Sequence, residues 1–226
     1  MISVAIDGPA GAGKSTIAKH AAKNTGFIYV DTGAIYRTIS LFMLRQGFTP
    51  EDADQIAEAL PQARVELKFI DGTQHVLLCG EDVSEAIRTP EVSMATSKMS
   101  AIPAVRAYLL DLQKDMAKHY NVIMDGRDIG TVVLPNAQIK LFLTASAEER
   151  AKRRFIELQE KQTETTFEEV LRDIQQRDYQ DSHREVAPLK PAKDAEILDT
   201  SDLTLEESID AVTKRITEYI EVHKEG

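Results

Sequence analysis

The chain has 226 residues and a formal net charge of −10 at pH 7, with 42% apolar and 28% charged residues. This composition is typical of a globular protein, and the length suits one α/β domain with a small insertion. The acidic balance argues against nucleic acid or an anionic membrane as the main partner, because both attract basic surfaces. The single cysteine, Cys79, excludes an intrachain disulfide and a cysteine-based metal cluster.

No apolar run approaches the length that crosses a bilayer, and the first residues lack the basic and apolar regions of a secretory signal. The sequence also contains no internal repeat, low-complexity tract or flexible linker. We therefore expect a cytoplasmic protein with a single domain over residues 1–226.

Short apolar runs alternate with helical segments, which predicts an α/β fold whose parallel sheet is covered by helices on both faces. The predicted strands are residues 2–6, 27–30, 122–124, 140–143 and 196–198. The predicted helices are residues 14–24, 34–46, 92–100, 104–119, 147–162, 167–180 and 205–222.

The first predicted strand leads into Gly8-Pro9-Ala10-Gly11-Ala12-Gly13-Lys14-Ser15, which matches the phosphate-binding loop pattern. Backbone N–H groups in such a loop surround polyphosphate oxygens, and the next helix directs its positive end toward them. In this pattern Lys14 reaches the β- and γ-phosphates, and the Ser15 hydroxyl ligates Mg²⁺. Because a strand precedes the loop and a helix follows it, we expect the chain to bind a nucleoside triphosphate.

Two further segments place an arginine just after a predicted strand: Asp31-Thr32-Gly33-Ala34-Ile35-Tyr36-Arg37 and Asp125-Gly126-Arg127-Asp128. Ligands of an open α/β sheet gather at the carboxyl ends of its strands, so we expect both segments beside the phosphate loop. Arginine suits phosphate binding because its planar guanidinium stays charged and binds two oxygens at once. Alternatively, Arg37 is a solvated helix residue and Asp125-Gly126 a simple turn, but the occurrence of both segments favours the functional interpretation.

Residues 64–70 and 75–79 are two β-like runs separated by Asp71-Gly72-Thr73-Gln74, which predicts a hairpin. An antiparallel hairpin does not belong in a succession of parallel strands and helices. We therefore interpret about residues 64–89 as the centre of an inserted subdomain. The alternative is an antiparallel edge of the main sheet.

Two basic segments have more than one interpretation. Arg150-Ala151-Lys152-Arg153-Arg154 is either a cationic lid over a triphosphate or a basic helix face opposite the acidic pair Glu148-Glu149. The segment from Arg177 to Arg184 ends a charged helix, and its spacing indicates a solvated face of mixed charge. On composition alone, a surface role is favoured for both.

Together these segments resemble the bacterial cytidylate kinase family, and the resemblance covers essentially the whole chain, including Gly80-Glu81-Asp82-Val83-Ser84 after the hairpin. The phosphate loop identifies only a superfamily. More specific are the segment from Asp31 to Arg37 and the segment Asp125-Gly126-Arg127-Asp128-Ile129-Gly130-Thr131. A further match is Arg177-Asp178 with Asp181, Arg184 and Ala187-Pro188-Leu189.

The resemblance implies an enzyme that uses Mg²⁺ and transfers the γ-phosphoryl group of ATP to CMP or dCMP, and we expect this enzyme to be a monomer. It implies a five-stranded parallel core, a monophosphate-binding insertion at about residues 62–95 and a helical lid at about residues 150–185. Implied ATP-binding residues are Gly8, Pro9, Ala10, Gly11, Ala12, Gly13, Lys14, Ser15, Thr16, Arg153 and Arg154. Implied CMP-binding residues are Thr32, Tyr36, Arg37, Ser97, Arg106, Arg127, Asp128, Arg177, Asp181 and Arg184, and Lys14, Arg127 and Arg184 are implied as catalytic.

Base selection by these residues has a physical basis. Cytosine presents an exocyclic amino donor where uracil presents a carbonyl, so a carboxylate such as Asp128 prefers cytosine. Arg106 can donate to the ring acceptors, whereas Ser97 serves either polarity or simply bonds its own helix. No general base is required, because the acceptor phosphate is already an anionic nucleophile. Asp125 is either a carboxylate that binds Mg²⁺ through water or a turn residue, and Asp7 is equally open.

Other functions of a phosphate loop remain alternatives. A kinase for UMP fits the loop equally well, and a kinase for a hydroxyl compound would use Asp31 or Asp125 as a base. A nucleotide-dependent switch usually reads guanine through an N-K-x-D segment, which this sequence lacks. A nucleic-acid motor normally has a basic track, which the composition does not favour.

Overall fold

A computed structural model of the protein describes residues 1–70, 73–160 and 162–223. The strands are β1 (Ser3–Asp7), β2 (Ile28–Asp31), β3 (Val65–Ile70), β4 (Thr73–Leu78), β5 (Glu81–Asp82), β6 (Val122–Gly126), β7 (Ile139–Thr144) and β8 (Glu196–Asp199). The helices are α1 (Lys14–Thr25), α2 (Thr32–Arg45), α3 (Ala53–Ala59), α4 (Pro90–Met99), α5 (Pro103–His119), α6 (Ala147–Glu160), α7 (Phe167–His183) and α8 (Leu205–Val222).

The main sheet is parallel and has the order β2-β6-β1-β7-β8. Side chains alternate between its two faces, so Ala5 of β1 packs with α2, α4 and α5, whereas Val4 and Ile6 pack with α1 and α8. The register aligns Asp31 at the end of β2 with Asp125 of β6. This alignment places acidic and polar side chains at one edge of the sheet.

The prediction of five parallel strands between helices is confirmed, with strand ends that differ by one or two residues. Helix α2 begins at Thr32, two residues before the predicted start, because the Asp31 carboxylate accepts the Ala34 N–H at 2.8 Å and caps the helix. The short helix α3 was not predicted. The predicted helix 147–162 ends at Glu160, and Lys161 lies outside the described residues.

The predicted hairpin is β3 and β4, which pair antiparallel, and β5 adds a third strand. The three strands form a sheet of their own, so the alternative of an antiparallel edge on the main sheet is wrong. Asp71 and Gly72 of the predicted turn lie outside the described residues. Among the helices of the described ranges, none is long and apolar enough to cross a membrane.

Candidate active site

The phosphate loop connects β1 to α1 and has a tightly constrained backbone. Gly8 has a φ of +150°, and a Cβ atom there would lie 1.9 Å from the Leu143 carbonyl oxygen of the neighbouring strand. Gly13 has a φ of +76° at the N-terminal cap of α1. Glycine is required at Gly8 because a side chain would collide with backbone, and at Gly13 because the φ is positive. The loop therefore directs the N-terminal end of α1 toward the carboxyl edge of the sheet.

Lys14 is folded back over this loop. Its ammonium donates a hydrogen bond to the Pro9 carbonyl at 2.7 Å, and the residue is 6% exposed. Burial and, after it, the nearby Arg127 guanidinium lower the pKa of Lys14 to about 7, against the opposing effect of Asp125. An anion beside this ammonium would favour its charged form, so the arrangement suits a polyphosphate.

Ser15 and Asp125 form a hydroxyl–carboxylate pair next to the loop. The Ser15 hydroxyl donates to Asp125 Oδ2 at 2.7 Å, and the Tyr29 hydroxyl donates to Oδ1 at 2.9 Å. Burial, and then the neighbouring Asp31 carboxylate, raise the pKa of Asp125. Hydroxyl and carboxylate oxygens are ligands that Mg²⁺ accepts directly or through water, so the residues present fit this cation. Their contacts disfavour the interpretation of Asp125 as a simple turn residue.

Asp7 has a different environment. Its two carboxylate oxygens accept the backbone N–H groups of Ile129 and Gly130, each at 2.7 Å. Ile129 and Gly130 are the first two residues of a π-helical turn, Ile129–Val133, which directly follows Asp128. Because both oxygens are engaged in this way, Asp7 fits a structural role that holds the segment after β6 in place. Burial raises the pKa of Asp7 to about 6 despite the two bonds.

The raised pKa of Asp7 predicts a pH dependence of stability. A carboxyl group whose pKa rises from 3.8 to about 6 on folding binds its proton more tightly in the folded state. The contribution of Asp7 to the free energy of unfolding is therefore greatest below pH 3.8 and is lost as the pH rises through about 6. The free energy of unfolding of the wild type should therefore fall relative to Asp7→Asn between about pH 4 and 7, by on the order of 2–3 kcal/mol.

Denaturant unfolding at a series of pH values measures this difference. Asp111→Asn removes an exposed carboxyl on α5, and its stability curve should run parallel to that of the wild type. Parallel curves for Asp7→Asn and the wild type would show that Asp7 does not titrate in this range.

Three arginines from separate elements, Arg37, Arg127 and Arg184, lie near the carboxyl edge of the main sheet. The space between them and the phosphate loop is called the cleft below. Arg37 Nη2 lies 3.0 Å from Asp31 Oδ2, and Arg127 Nε donates to Asp181 Oδ2 at 2.7 Å. Arg184, which follows α7, donates from Nε to the Ala187 carbonyl at 2.6 Å. A carboxylate or carbonyl thus orients each guanidinium while leaving further N–H groups for a ligand.

Neighbouring predicted residues complete this side of the cleft. The Thr32 hydroxyl donates to the Asp125 carbonyl at 2.6 Å, which ties the start of α2 to the end of β6. Arg177 lies on α7, where desolvation by the surrounding protein lowers the pKa of its guanidinium. The nearby guanidinium groups of Arg127 and, more weakly, Arg154 lower this pKa further.

A second cluster is centred on Asp128, which is 4% exposed. Its carboxylate pairs with Arg106 of α5, and its other oxygen lies 3.6 Å from Arg184 Nη2. The Arg106 guanidinium carbon lies 5.5 Å from the centre of the Tyr36 ring, and Arg106 Nη1 donates to the Ser100 carbonyl at 3.1 Å. These contacts bring together a buried acceptor, a donor and an aromatic face.

Ser97 lies on α4, the helix that follows the small sheet. Its hydroxyl donates to Gln180 Oε1 of α7 at 3.2 Å, so it does not simply bond its own helix. This contact joins the helix after the small sheet to the helix that carries Arg177 and Asp181.

The arginines in the basic segment of α6 have different hydrogen-bond partners. Arg153 donates to the Thr200 carbonyl at 2.7 Å, and Arg154 donates to Glu157 at 2.8 Å. Neither contact involves the phosphate loop. Thr16 is exposed on the first turn of α1.

Arg150 is the arginine of this segment that contacts the loop, whereas the resemblance to the family implied Arg153 and Arg154 as the ATP-binding arginines. It is 4% exposed, donates to the Ala10 carbonyl at 2.8 Å and pairs with Asp178 Oδ2 at 2.6 Å. The available signal was Ala151, whose small apolar side chain marks the buried face of α6 next to Arg150.

The phosphate loop joins a strand to a helix at the carboxyl edge of a five-stranded parallel sheet, and arginines converge on the same edge. These features define a P-loop kinase. Residues 4–218 match the family model described as cytidylate kinase. The chain belongs to the cytidylate kinase family.

Individual relatives agree with this assignment. The chain is 53% identical to the cytidylate kinase of Caldicellulosiruptor saccharolyticus over 93% of each chain. It is 52% identical to the cytidylate kinase of Caldanaerobacter subterraneus subsp. tengcongensis, over 95% of this chain and 94% of the relative. A solved structure of an uncharacterized protein from Eubacterium ventriosum has a TM-score of 0.50 and 12% identity, over 98% of this chain and 99% of the other. That likeness concerns the fold alone.

Proposed function

We propose that the protein transfers the γ-phosphoryl group of ATP to CMP or dCMP, giving ADP and CDP or dCDP, as a step of pyrimidine nucleotide metabolism in the cytoplasm. The observation that carries this proposal is the buried Asp128 carboxylate, paired with Arg106 and close to Arg184. A carboxylate held in this way accepts a hydrogen bond from the amino group of cytosine. Family membership supports the same reaction.

The donor side of the cleft is the phosphate loop. Residues 8–16 bind the ATP phosphates, with Lys14 at the β- and γ-phosphates and with Arg153 and Arg154 closing over them from α6. Ser15 binds Mg²⁺ directly and Asp125 binds it through water, which their mutual hydrogen bond supports. When bound, Mg²⁺ neutralises charge on the β- and γ-phosphate oxygens.

The acceptor side is built from the arginine array and the Asp128 cluster. Arg37, Arg127 and Arg184 hold the phosphate of CMP in line with the donor, so that its anionic oxygen attacks without a general base. Four residues lie around the sugar and phosphate, and three face the base. The first group is Thr32, Tyr36, Arg177 and Asp181, and the second is Ser97, Arg106 and Asp128.

Two mobile parts complete the proposed enzyme, which acts as a monomer on nucleotides and not on nucleic acid. The small sheet and its flanking segments, about residues 62–95, form the monophosphate-binding insertion. Helices α6 and α7, about residues 150–185, form the lid. Closure of these parts excludes water, which would otherwise compete with CMP for the γ-phosphoryl group.

A panel of acceptors tests the reaction. ADP formation from ATP and Mg²⁺ is measured with CMP, dCMP, UMP, shikimate and no acceptor. We expect rapid turnover with CMP and dCMP, slower turnover with UMP and only background with shikimate or no acceptor. Rapid turnover with shikimate or UMP, and none with CMP, would refute the proposal.

The proposed metal site predicts a specific defect. Asp125→Asn removes the negative charge beside the Ser15 hydroxyl and should raise the Mg²⁺ concentration for half-maximal rate by about tenfold to a hundredfold. Initial rates at fixed ATP over a Mg²⁺ titration measure this change. Tyr29→Phe removes one hydrogen bond to the same carboxylate but leaves its charge, so the shift should stay within about threefold. An unchanged Mg²⁺ dependence of Asp125→Asn would exclude its role in metal binding.

A further inference from the structure

Gln74 makes a two-point contact between the small sheet and the main sheet. The Asp31 backbone N–H donates to Gln74 Oε1 at 2.9 Å, and Gln74 Nε2 donates to the Asp31 carbonyl at 3.3 Å. Strand β2 is an edge strand of the main sheet, so the backbone groups of Asp31 that face away from β6 have no neighbouring strand within the described part of the chain. The Gln74 amide satisfies both groups, as one residue of an additional strand would.

The residue that Gln74 binds is also the residue that orients Arg37. Asp31 Oδ1 caps α2 by accepting the Ala34 N–H, and Asp31 Oδ2 accepts from Arg37 Nη2 at 3.0 Å. Space around this contact is small, because a Cβ atom on Gly33 would lie 3.2 Å from both Arg37 Nη1 and Asp31 Oδ1. A shift of the Asp31 backbone would therefore move the Arg37 guanidinium.

Arg37 has few other restraints. Its Nε atom is buried and has no hydrogen-bond partner among the described residues. Its ion pair with Asp31 is consequently the main contact that sets the direction of the guanidinium. The path from the small sheet to this arginine runs through Gln74 and Asp31.

We propose that Gln74 is a positioning residue for the acceptor phosphate: by holding the Asp31 backbone from the small sheet, it orients Arg37 toward the monophosphate. This inference rests on the proposed function, in which Arg37 binds that phosphate. Gln74 itself touches no reacting atom. Its effect is confined to the acceptor side of the cleft, because the Gln74–Asp31–Arg37 path includes no residue of the phosphate loop.

Steady-state kinetics of Gln74→Ala test the proposal. Loss of the two hydrogen bonds should raise KM for CMP by about threefold to tenfold and leave KM for ATP within about twofold of wild type. The matched control is Gln138→Ala, which removes a glutamine amide that accepts the Ser3 backbone N–H at 2.8 Å at the amino end of β1, and it should leave both KM values unchanged. Gln74→Met keeps the side-chain length without its hydrogen bonds. It provides the same comparison if the alanine variant does not fold.

A double-mutant cycle separates positioning from a purely structural role. If Gln74 acts through Asp31 and Arg37, Gln74→Ala should change KM for CMP less than about twofold in an Arg37→Ala background. An equal rise in both backgrounds, or an equal rise in KM for ATP and CMP, would overturn the positioning role. If the wild type does not phosphorylate CMP, the proposed function itself fails. A wild type that does, with a Gln74→Ala variant that matches it, overturns only this inference.

Discussion

Replacing Lys14 with alanine should lower kcat for transfer to CMP by about a hundredfold to a thousandfold. The ammonium donates a hydrogen bond to the Pro9 carbonyl of the loop at 2.7 Å, at the position where phosphate charge is proposed to accumulate. Phosphoryl transfer depends mainly on positioning and charge stabilisation, so removal of this charge removes much of the catalytic contribution. The measurement is kcat with saturating ATP and CMP.

Stability measurements distinguish this loss from unfolding. Burial, and after it Arg127, lower the pKa of Lys14 to about 7, which means that the folded protein disfavours this charge. Removal of the ammonium should therefore leave Tm near or above that of the wild type. The control is Lys19→Ala, an exposed lysine of the same helix, for which kcat should not change. Near-normal turnover of Lys14→Ala would contradict the role of this lysine.

Several parts of the fold and site were predictable because their signals are local. The phosphate loop needs eight consecutive residues, and the strand before it is a continuous apolar run. Arg37 and Arg127 were predicted at the same edge because parallel strands direct their carboxyl ends to one side. Their separate orientations toward Asp31 and Asp181 depend on side-chain contacts and could not be read from strand order.

The parts that escaped prediction depend on residues far apart in the sequence. Arg150 and Ala10 are separated by 140 positions, and Gln74 and Asp31 by 43 positions. Helical periodicity marks which face of α6 is buried but not which carbonyl a buried guanidinium reaches. For the same reason, the pattern of residues 64–79 indicated a hairpin without deciding whether it joins the main sheet.

The cluster of Arg106, Asp128 and Arg184 is a costly arrangement if it only stabilises the fold. Burying charged groups requires desolvation, and such pairs often contribute little net stability compared with apolar packing. Arg106 and Asp128 are 8% and 4% exposed, and Arg184 Nη2 is a buried donor without a hydrogen-bond partner among the described residues. A polar site of this kind is expected where a ligand supplies the missing contacts.

Asp128→Asn should therefore lower the preference for CMP over UMP, measured as the ratio of their kcat/KM values, by about tenfold to a hundredfold. In the proposed complex, the wild-type carboxylate accepts a hydrogen bond from the amino group of cytosine, whereas with uracil it would face a carbonyl, which is a second acceptor. An asparagine amide can instead donate to that carbonyl, so activity toward UMP should fall less than activity toward CMP, or rise.

Loss of a buried charge is also expected to reduce activity in general, so the ratio is the informative quantity. Asp178→Asn is the matched control, because it removes a carboxylate paired with a buried arginine, Arg150, away from the Asp128 cluster. That variant should lower activity toward CMP and UMP alike and leave their ratio unchanged. An unchanged ratio for Asp128→Asn would exclude this residue from base recognition. A ratio that changes in Asp128→Asn but not in Asp178→Asn would identify the Asp128 carboxylate as the group that distinguishes cytosine from uracil.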